Sequence, residues 1–212
     1  MILPIDIHTH HFSRCSESAI VNCSPDTFCP ETAGWYSIGY HPWFLPKPDA
    51  PMKWELFEDL LDHPQVLAVG EAGLDKNSEA SLSFQLEVFV HHVVLSERVG
   101  KPMVIHLVKA LDELLRLKRE LRPVQPWIIH GFRGKPALAE TLIRHGFYLS
   151  FGEKYQEETL KQIPGDRLFL ETDESDMPIE VCYKRAALLR GCSEKELFES
   201  VSRNVRVVFF KQ

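Results

Sequence analysis

Val66-Leu67-Ala68-Val69-Gly70-Glu71 sets four consecutive apolar residues before a glycine and a carboxylate. A short apolar run of this kind suits a strand buried on both faces, as in a parallel sheet. The same grammar recurs along the chain. Ile2-Leu3-Pro4-Ile5-Asp6-Ile7 leads into His8-Thr9-His10, and Pro102-Met103-Val104-Ile105 into His106. Trp127-Ile128-Ile129 leads into His130, and Arg167-Leu168-Phe169-Leu170 into Glu171-Thr172-Asp173. One such ending means little. The five together predict parallel strands that deliver His, Glu and Asp side chains to one rim. In a βα barrel, the C-terminal rim is where active sites are built.

Strand-like segments are predicted at residues 2–7, 18–23, 35–40, 66–71, 102–106, 126–130, 146–151 and 167–171. Helical spacing is predicted over 53–62, 80–99, 109–120, 135–145, 154–162, 179–190 and 194–200, with Ser193 as an N-cap. A last short helix is expected over 203–210. Alternating strands and helices give an α/β fold with a parallel sheet, and eight strands give a closed TIM (β/α)8 barrel. The first two connections are too short for the usual helices. The barrel is therefore expected to be trimmed, with its first one or two helices reduced to loops. The apolar surface left there needs shielding, and a homo-oligomer through the helix-poor side would supply it. The Pro-rich stretch from His41 to Met52 reads as a rigid loop.

With 212 residues, 44% hydrophobic and 25% charged, residues 1–212 are expected to form one domain. No apolar run approaches a membrane span, and no basic stretch followed by an apolar core opens the chain. Cys15, Cys23, Cys29, Cys182 and Cys192 are an odd set without close pairing, which fits a reduced, cytoplasmic compartment. Cys15, Cys23 and Cys29 are too irregularly spaced to argue for a metal, and core or loop thiols are the simpler reading. The net charge of −6 excludes a protein that holds long duplex by electrostatics alone. A nucleic-acid substrate would be gripped locally, by metal and a few basic side chains such as Lys109 and Arg133. Each of these alone reads first as a solvated surface charge. The rim is expected to be poor in aromatic residues.

The chemistry follows from residue type. His8 and His10 lie two apart, so a regular strand points both to one face, where they can bind one ion. Glu71 has two carboxylate oxygens and can bridge two ions. His106 and His130 would hold the second ion, and Asp173 would complete the first and orient or deprotonate the attacking water. Four imidazoles favour zinc over Mg or Mn, with one or two ions per chain. Glu71 and Asp173 are the candidate catalytic residues. Without metal, the histidines would be buried core residues, Glu71 an ion-pair partner and Asp173 a helix cap. Asp75 is expected to orient a ligand. Glu171 is expected either to support a ligand or to form an ion pair inside the barrel.

The ordered set of motifs resembles the TatD-type metal-dependent deoxyribonucleases, within the amidohydrolase-like TIM-barrel hydrolases. Asp6-Ile7-His8-Thr9-His10 is similar to the family's Asp-x-His-x-His, and Gly39-Tyr40-His41-Pro42 to its Gly-x-His-Pro. Gly70-Glu71-Ala72-Gly73-Leu74-Asp75 resembles its most specific block, Gly-Glu-x-Gly-Leu-Asp. Lys101 to His106, His130-Gly131-Phe132-Arg133-Gly134 and Leu168 to Asp173 resemble the remaining blocks. The resemblance implies the same ligand assignments, a DNA substrate, and a phosphate contact for His41. Two departures stand out. His106-Leu107-Val108-Lys109-Ala110 lacks the family's usual Arg, and Glu174-Ser175 replaces the small residue and Pro after Glu-Thr-Asp. The alternative reading is a metal-dependent hydrolase of a small phosphate ester, amide or lactone.

Overall fold

Eight parallel strands lie in one sheet in sequence order. The computed structural model describes residues 3–14, 17–31, 33–47 and 50–212. Ile2, Cys15 and Pro48, expected as a strand start, a thiol and a rigid-loop position, lie outside the described residues. The strands are β1 (Asp6–Thr9), β2 (Ala19–Cys23), β3 (Trp35–Ile38), β4 (Val66–Asp75), β5 (Met103–Val108), β6 (Trp127–Ile129), β7 (Phe147–Phe151) and β8 (Leu168–Leu170). The helices are α1 (Trp54–Leu61), α2 (Leu82–Val99), α3 (Leu111–Leu121), α4 (Pro136–Arg144), α5 (Glu157–Gln162), α6 (Ile179–Arg190) and α7 (Glu194–Val205). All ten residues of β4 are buried, as a strand covered on both faces requires.

The barrel closes through Asp173, which follows β8. Its backbone N–H donates to His8 O at 2.9 Å, and its carbonyl accepts from His10 N at 3.0 Å. Below this seam, the buried Asp6 carboxylate accepts from Thr172 N at 3.0 Å and Thr172 Oγ1 at 2.6 Å. Burial pushes Asp6 up to about 7, with the Thr172 hydrogen bonds pulling the other way.

The expected trimming is present. Among the described residues, one 3-10 turn (Phe12–Arg14) stands between β1 and β2, and no helix stands between β2 and β3. The chain shields part of this side itself. After α7 the helix continues in a wide π-type turn over Arg206–Phe210, and Phe210 meets Trp35 edge to face at 5.5 Å. The separate helix expected over 203–210 is thus the end of α7, because Val205 and Arg206 keep helical dihedrals and no breaker intervenes. Ser193 caps α7 as expected, in a reciprocal capping box with Glu196.

Two strand limits differ from expectation. β1 starts at Asp6 rather than residue 2, so His8 lies inside the strand. Pro4 has no N–H to give to a ladder, and pairing starts at Asp6 against Ala19. β4 runs four residues past Glu71, to Asp75. Gly70 and Gly73 are where β5 presses close. A Cβ at Gly73 would lie 1.9 Å from His106 O, so only glycine permits the Gly73–His106 register.

Behind β3, the fully buried His92 of α2 accepts from Tyr40 N at 3.0 Å through Nε2 and donates from Nδ1 to Val88 O at 2.8 Å. Protonation would set an N–H against the Tyr40 N–H. Burial, more than the nearby His91, lowers its pKa from 6.5 to about 4. The unfolded chain therefore takes up this proton first, and the contribution is present above pH 6.5 and lost as pH falls toward 4. The expected loss is about 3 kcal/mol. Urea unfolding at pH 7, 5 and 4 should show a steeper acid loss for wild type than for His92→Gln; equal acid sensitivity would refute this account.

Candidate metal centre

The side chains of the cluster come from the C-terminal halves of the strands or from the residues just beyond them. β1 supplies His8 and the residue after it, His10; the β3 end leads to His41; β4 carries Glu71 and Asp75; β5 carries His106. His130 follows β6 and Asp173 follows β8. Glu71 is the hub, and its two oxygens face different imidazoles. Oε1 lies 2.7 Å from His130 Nε2, 2.9 Å from His106 Nδ1 and 3.0 Å from His41 Nε2. Oε2 lies 3.2 Å from His10 Nε2 and 3.3 Å from His8 Nε2. Asp173 Oδ1 sits on the second side, 3.6 Å from His10 and 3.7 Å from His8.

Asn22, from β2, fixes the hub. Its Oδ1 accepts from Glu71 N at 2.6 Å and from Ser37 Oγ at 3.2 Å. Outer contacts also set which ring nitrogen carries the proton. His106 sets Nε2 3.0 Å from Asp75 Oδ2 and Nδ1 2.9 Å from Glu71 Oε1, so each of its nitrogens faces a carboxylate. His130 Nδ1 lies 3.5 Å from Glu171 Oε1, within ion-pair range, and its Nε2 faces the cluster. His41 is opposite in sense. Its Nδ1 accepts from Trp43 N at 3.0 Å, so its proton sits on Nε2, aimed at Glu71.

Electrostatics agree with this layout. Burial pushes Glu71 up, but the His130 charge and the hydrogen bonds from His10, His106 and His130 outweigh it and hold the carboxylate well below its usual range. Burial pulls His130 down, and the Glu71 and Glu171 carboxylates reverse this and hold it well above. Burial and then the His130 charge keep His8 low.

The donor set fits a divalent cation. His8 is completely buried, and neither ring nitrogen has a hydrogen-bond partner, although Nε2 points at Glu71 and Asp173. A buried nitrogen left this way is costly unless something electrophilic shares the pocket. Three groupings have ligand atoms within 4.8 Å of one another: His8, His10 and Glu71; His8, His130 and Asp173; and His41, Glu71 and His106.

The structure thus brings together all six residues read as ligands from the sequence. His41 joins them, where the sequence placed it as a substrate contact. Lys109 and Arg133 line the mouth of a cavity of about 710 Å³ over the cluster. Lys109 donates to Asn77 Oδ1 at 3.0 Å. Asp75 and Glu171 take the supporting positions expected of them. Asp173 does not cap a helix, since α6 begins after Pro178. Asn22 and Asp6 were missed as supports; a lone polar residue inside an apolar strand was the available signal for Asn22. The reading of an aromatic-poor rim is corrected: Trp43 and Phe44 line the cavity, 59% and 77% exposed.

The family model described as TatD related DNase matches residues 30–209. The chain belongs to the TatD-related DNase family. The match begins after His8 and His10, which the fold brings to the same cluster as the residues within it. The metal-dependent hydrolase YabD of Bacillus subtilis is 34% identical over 65% of this chain and 57% of its own length. The human 3'-5' RNA nuclease TATDN2 is 29% identical over 75% of this chain, which spans 22% of that protein. The chain thus spans about half or less of the length of such curated relatives. The crystal structure of YjjV, a TatD homologue from Escherichia coli, superposes with a TM-score of 0.83 at 20% identity, covering 99% of both chains. That likeness shows the TatD barrel. Among the described residues, no helix is long and apolar enough to cross a membrane.

Proposed function

We propose that this chain is a metal-dependent phosphodiesterase that releases nucleotides from single-stranded nucleic acid, with DNA as the first substrate to test. The observation that carries the reading is the division of Glu71 between two sets of imidazoles. In this reading His8, His10 and Asp173 would hold one ion and His106 and His130 another, with Glu71 available to both. The nitrogen-rich donor set favours zinc. Such ions would supply an activated water near neutral pH and offset charge on the phosphoryl oxygens.

The protein's own groups do the rest. Asp173, a quarter exposed at the cavity floor, orients the attacking water and accepts its proton. His41 donates from Nε2 to a substrate oxygen, because Trp43 N occupies its other nitrogen. That geometry makes His41 a poor ligand through Nε2 and supports its role as a phosphate contact. Lys109 and Arg133 offer cationic contacts to phosphate at the mouth. The names of YabD and TATDN2, a metal-dependent hydrolase and an RNA nuclease, support a metal-dependent hydrolase acting on nucleic acid.

A second reading is hydrolysis of a small phosphate ester, amide or lactone. Glu174 favours it by adding a carboxylate to the same mouth. The deciding experiment strips the protein with chelator, reloads it with Zn, Mn or Mg, and follows nucleotide release from single-stranded DNA and RNA. Release is expected only from the reloaded protein. A folded, zinc-loaded protein that spares both oligonucleotides yet cleaves a small ester would establish the second reading instead.

A further inference from the structure

The loop after β3 leaves two adjacent aromatic rings in solvent at the cavity mouth. Among the described residues, four aromatic side chains are exposed: Phe12, Trp43, Phe44 and Phe198. Two of them thus fall side by side over the cluster, although rings of this size are ordinarily well buried. Trp43 is held from its edge. Nε1 donates to Asp75 Oδ2 at 2.7 Å, and its backbone N–H donates to His41 Nδ1 at 3.0 Å. Asp75 also receives His106 Nε2, and the Trp43 and His106 rings lie 5.9 Å apart. Phe44 N donates to His41 O at 3.0 Å, and its ring sits 5.4 Å from that of His41. Trp43 is therefore tied to His41 and His106 and Phe44 to His41, histidines that face Glu71, while more than half of each ring remains open.

We propose that Trp43 and Phe44 form a stacking shelf for an unpaired nucleobase, and that this shelf selects single-stranded ends. The proposal rests on the phosphodiesterase reading above and adds what the site grips besides phosphate. A chain of net charge −6 gains little from long-range attraction to nucleic acid, so affinity must come from contacts of another kind. Base–aromatic stacking is such a contact, and it tolerates any sequence because every base has a π-face. Lys109 and Arg133 at the same mouth offer the charge complement for the adjoining phosphates. A paired base would first have to leave its stack, which disfavours duplex. Because Trp43 is tied to His41 and Asp75, a base resting on it would set the neighbouring phosphodiester in register with the cluster.

The test separates base from phosphate. Binding of a dye-labelled thymidine hexamer and of an abasic hexamer with the same phosphates is followed by fluorescence anisotropy, on zinc-loaded Asp173→Asn so that neither is consumed. The thymidine hexamer is expected to bind about tenfold more tightly, as stacking of a single base allows. That advantage should largely disappear in the added Phe44→Ala change. Phe44 is mostly in solvent, so its loss does not threaten the fold. Trp43→Leu should act in the same direction. Equal binding of the two hexamers would overturn the shelf and leave the phosphodiesterase reading standing. No binding of either by the folded, zinc-loaded chain would overturn both. A dimer that dissociates on Phe44→Ala, with the hexamers bound equally, would assign the rings to a second copy of the chain instead.

Discussion

Glu71→Gln is expected to abolish stable metal binding and lower the hydrolytic rate by more than the roughly 10- to 100-fold that loss of an outer contact causes. The substitution keeps volume and shape, so the argument is electrostatic. Oε1 faces His41, His106 and His130, and Oε2 faces His8 and His10. A carboxylate accepts on both sides. An amide accepts on one side only and turns its N–H groups on the lone pairs of the other. Breaking a buried pair from one side typically costs about 3–5 kcal/mol. Elemental analysis after dialysis should show at most residual metal, and zinc should raise the Tm of wild type far more than that of the variant. A variant with full metal content and a rate within tenfold of wild type would remove Glu71 from the centre of the mechanism.

Asp173→Asn is expected to give the opposite division, a folded protein with metal but little turnover. Asp173 closes the barrel through its backbone, whose N–H and C=O meet His8 and His10. It does so at φ 54°, in the left-handed region that Asn tolerates nearly as well as Asp. The carboxylate alone faces the cluster. Its conversion to an amide removes a proton acceptor, a loss of roughly 10²- to 10⁴-fold in kcat. KM should change little, and Tm by less than about 2 °C. If kcat falls less than tenfold on single-stranded DNA, the proton is taken elsewhere and Asp173 is only a ligand. Val at this position should instead unfold the seam, because a β-branched residue resists that backbone conformation.

The strand-end residues were legible because buried parallel strands show as unbroken apolar runs and the ligands stand where each run stops. His106 and His130 each alone would read as ordinary buried residues, and the recurrence of the same ending along the chain reverses that. The reach of β4 past Glu71 was not legible, because Gly73 serves a close approach of β5 that only the folded chain shows. The supports of the site were not legible because each acts across a large separation in the chain. Asp6 meets Thr172, 166 residues away, and Asn22 meets Glu71, 49 residues away. Trp43 and Phe44 were misread for a different reason. Tyr40-His41-Pro42-Trp43-Phe44-Leu45 has the composition of core, and only the path of the loop after β3 sends Pro42 inward and the two rings outward.

The seam at Asp173 has a consequence in time. The ring is joined by contacts between residues near the start of the chain and residues 164 positions later. During synthesis His8 and His10 emerge first, and their partner across the seam emerges only after β8. Contacts so distant in sequence form late, since the intervening chain must be ordered before they repay its loss of freedom. A nascent or shortened chain can therefore hold strands and helices yet lack the joined ring on which His8, His10 and Asp173 meet. Completion of the cluster then waits on the closing of the ring, and a chain caught before it carries His8, whose ring nitrogens the closed barrel buries, still open to water.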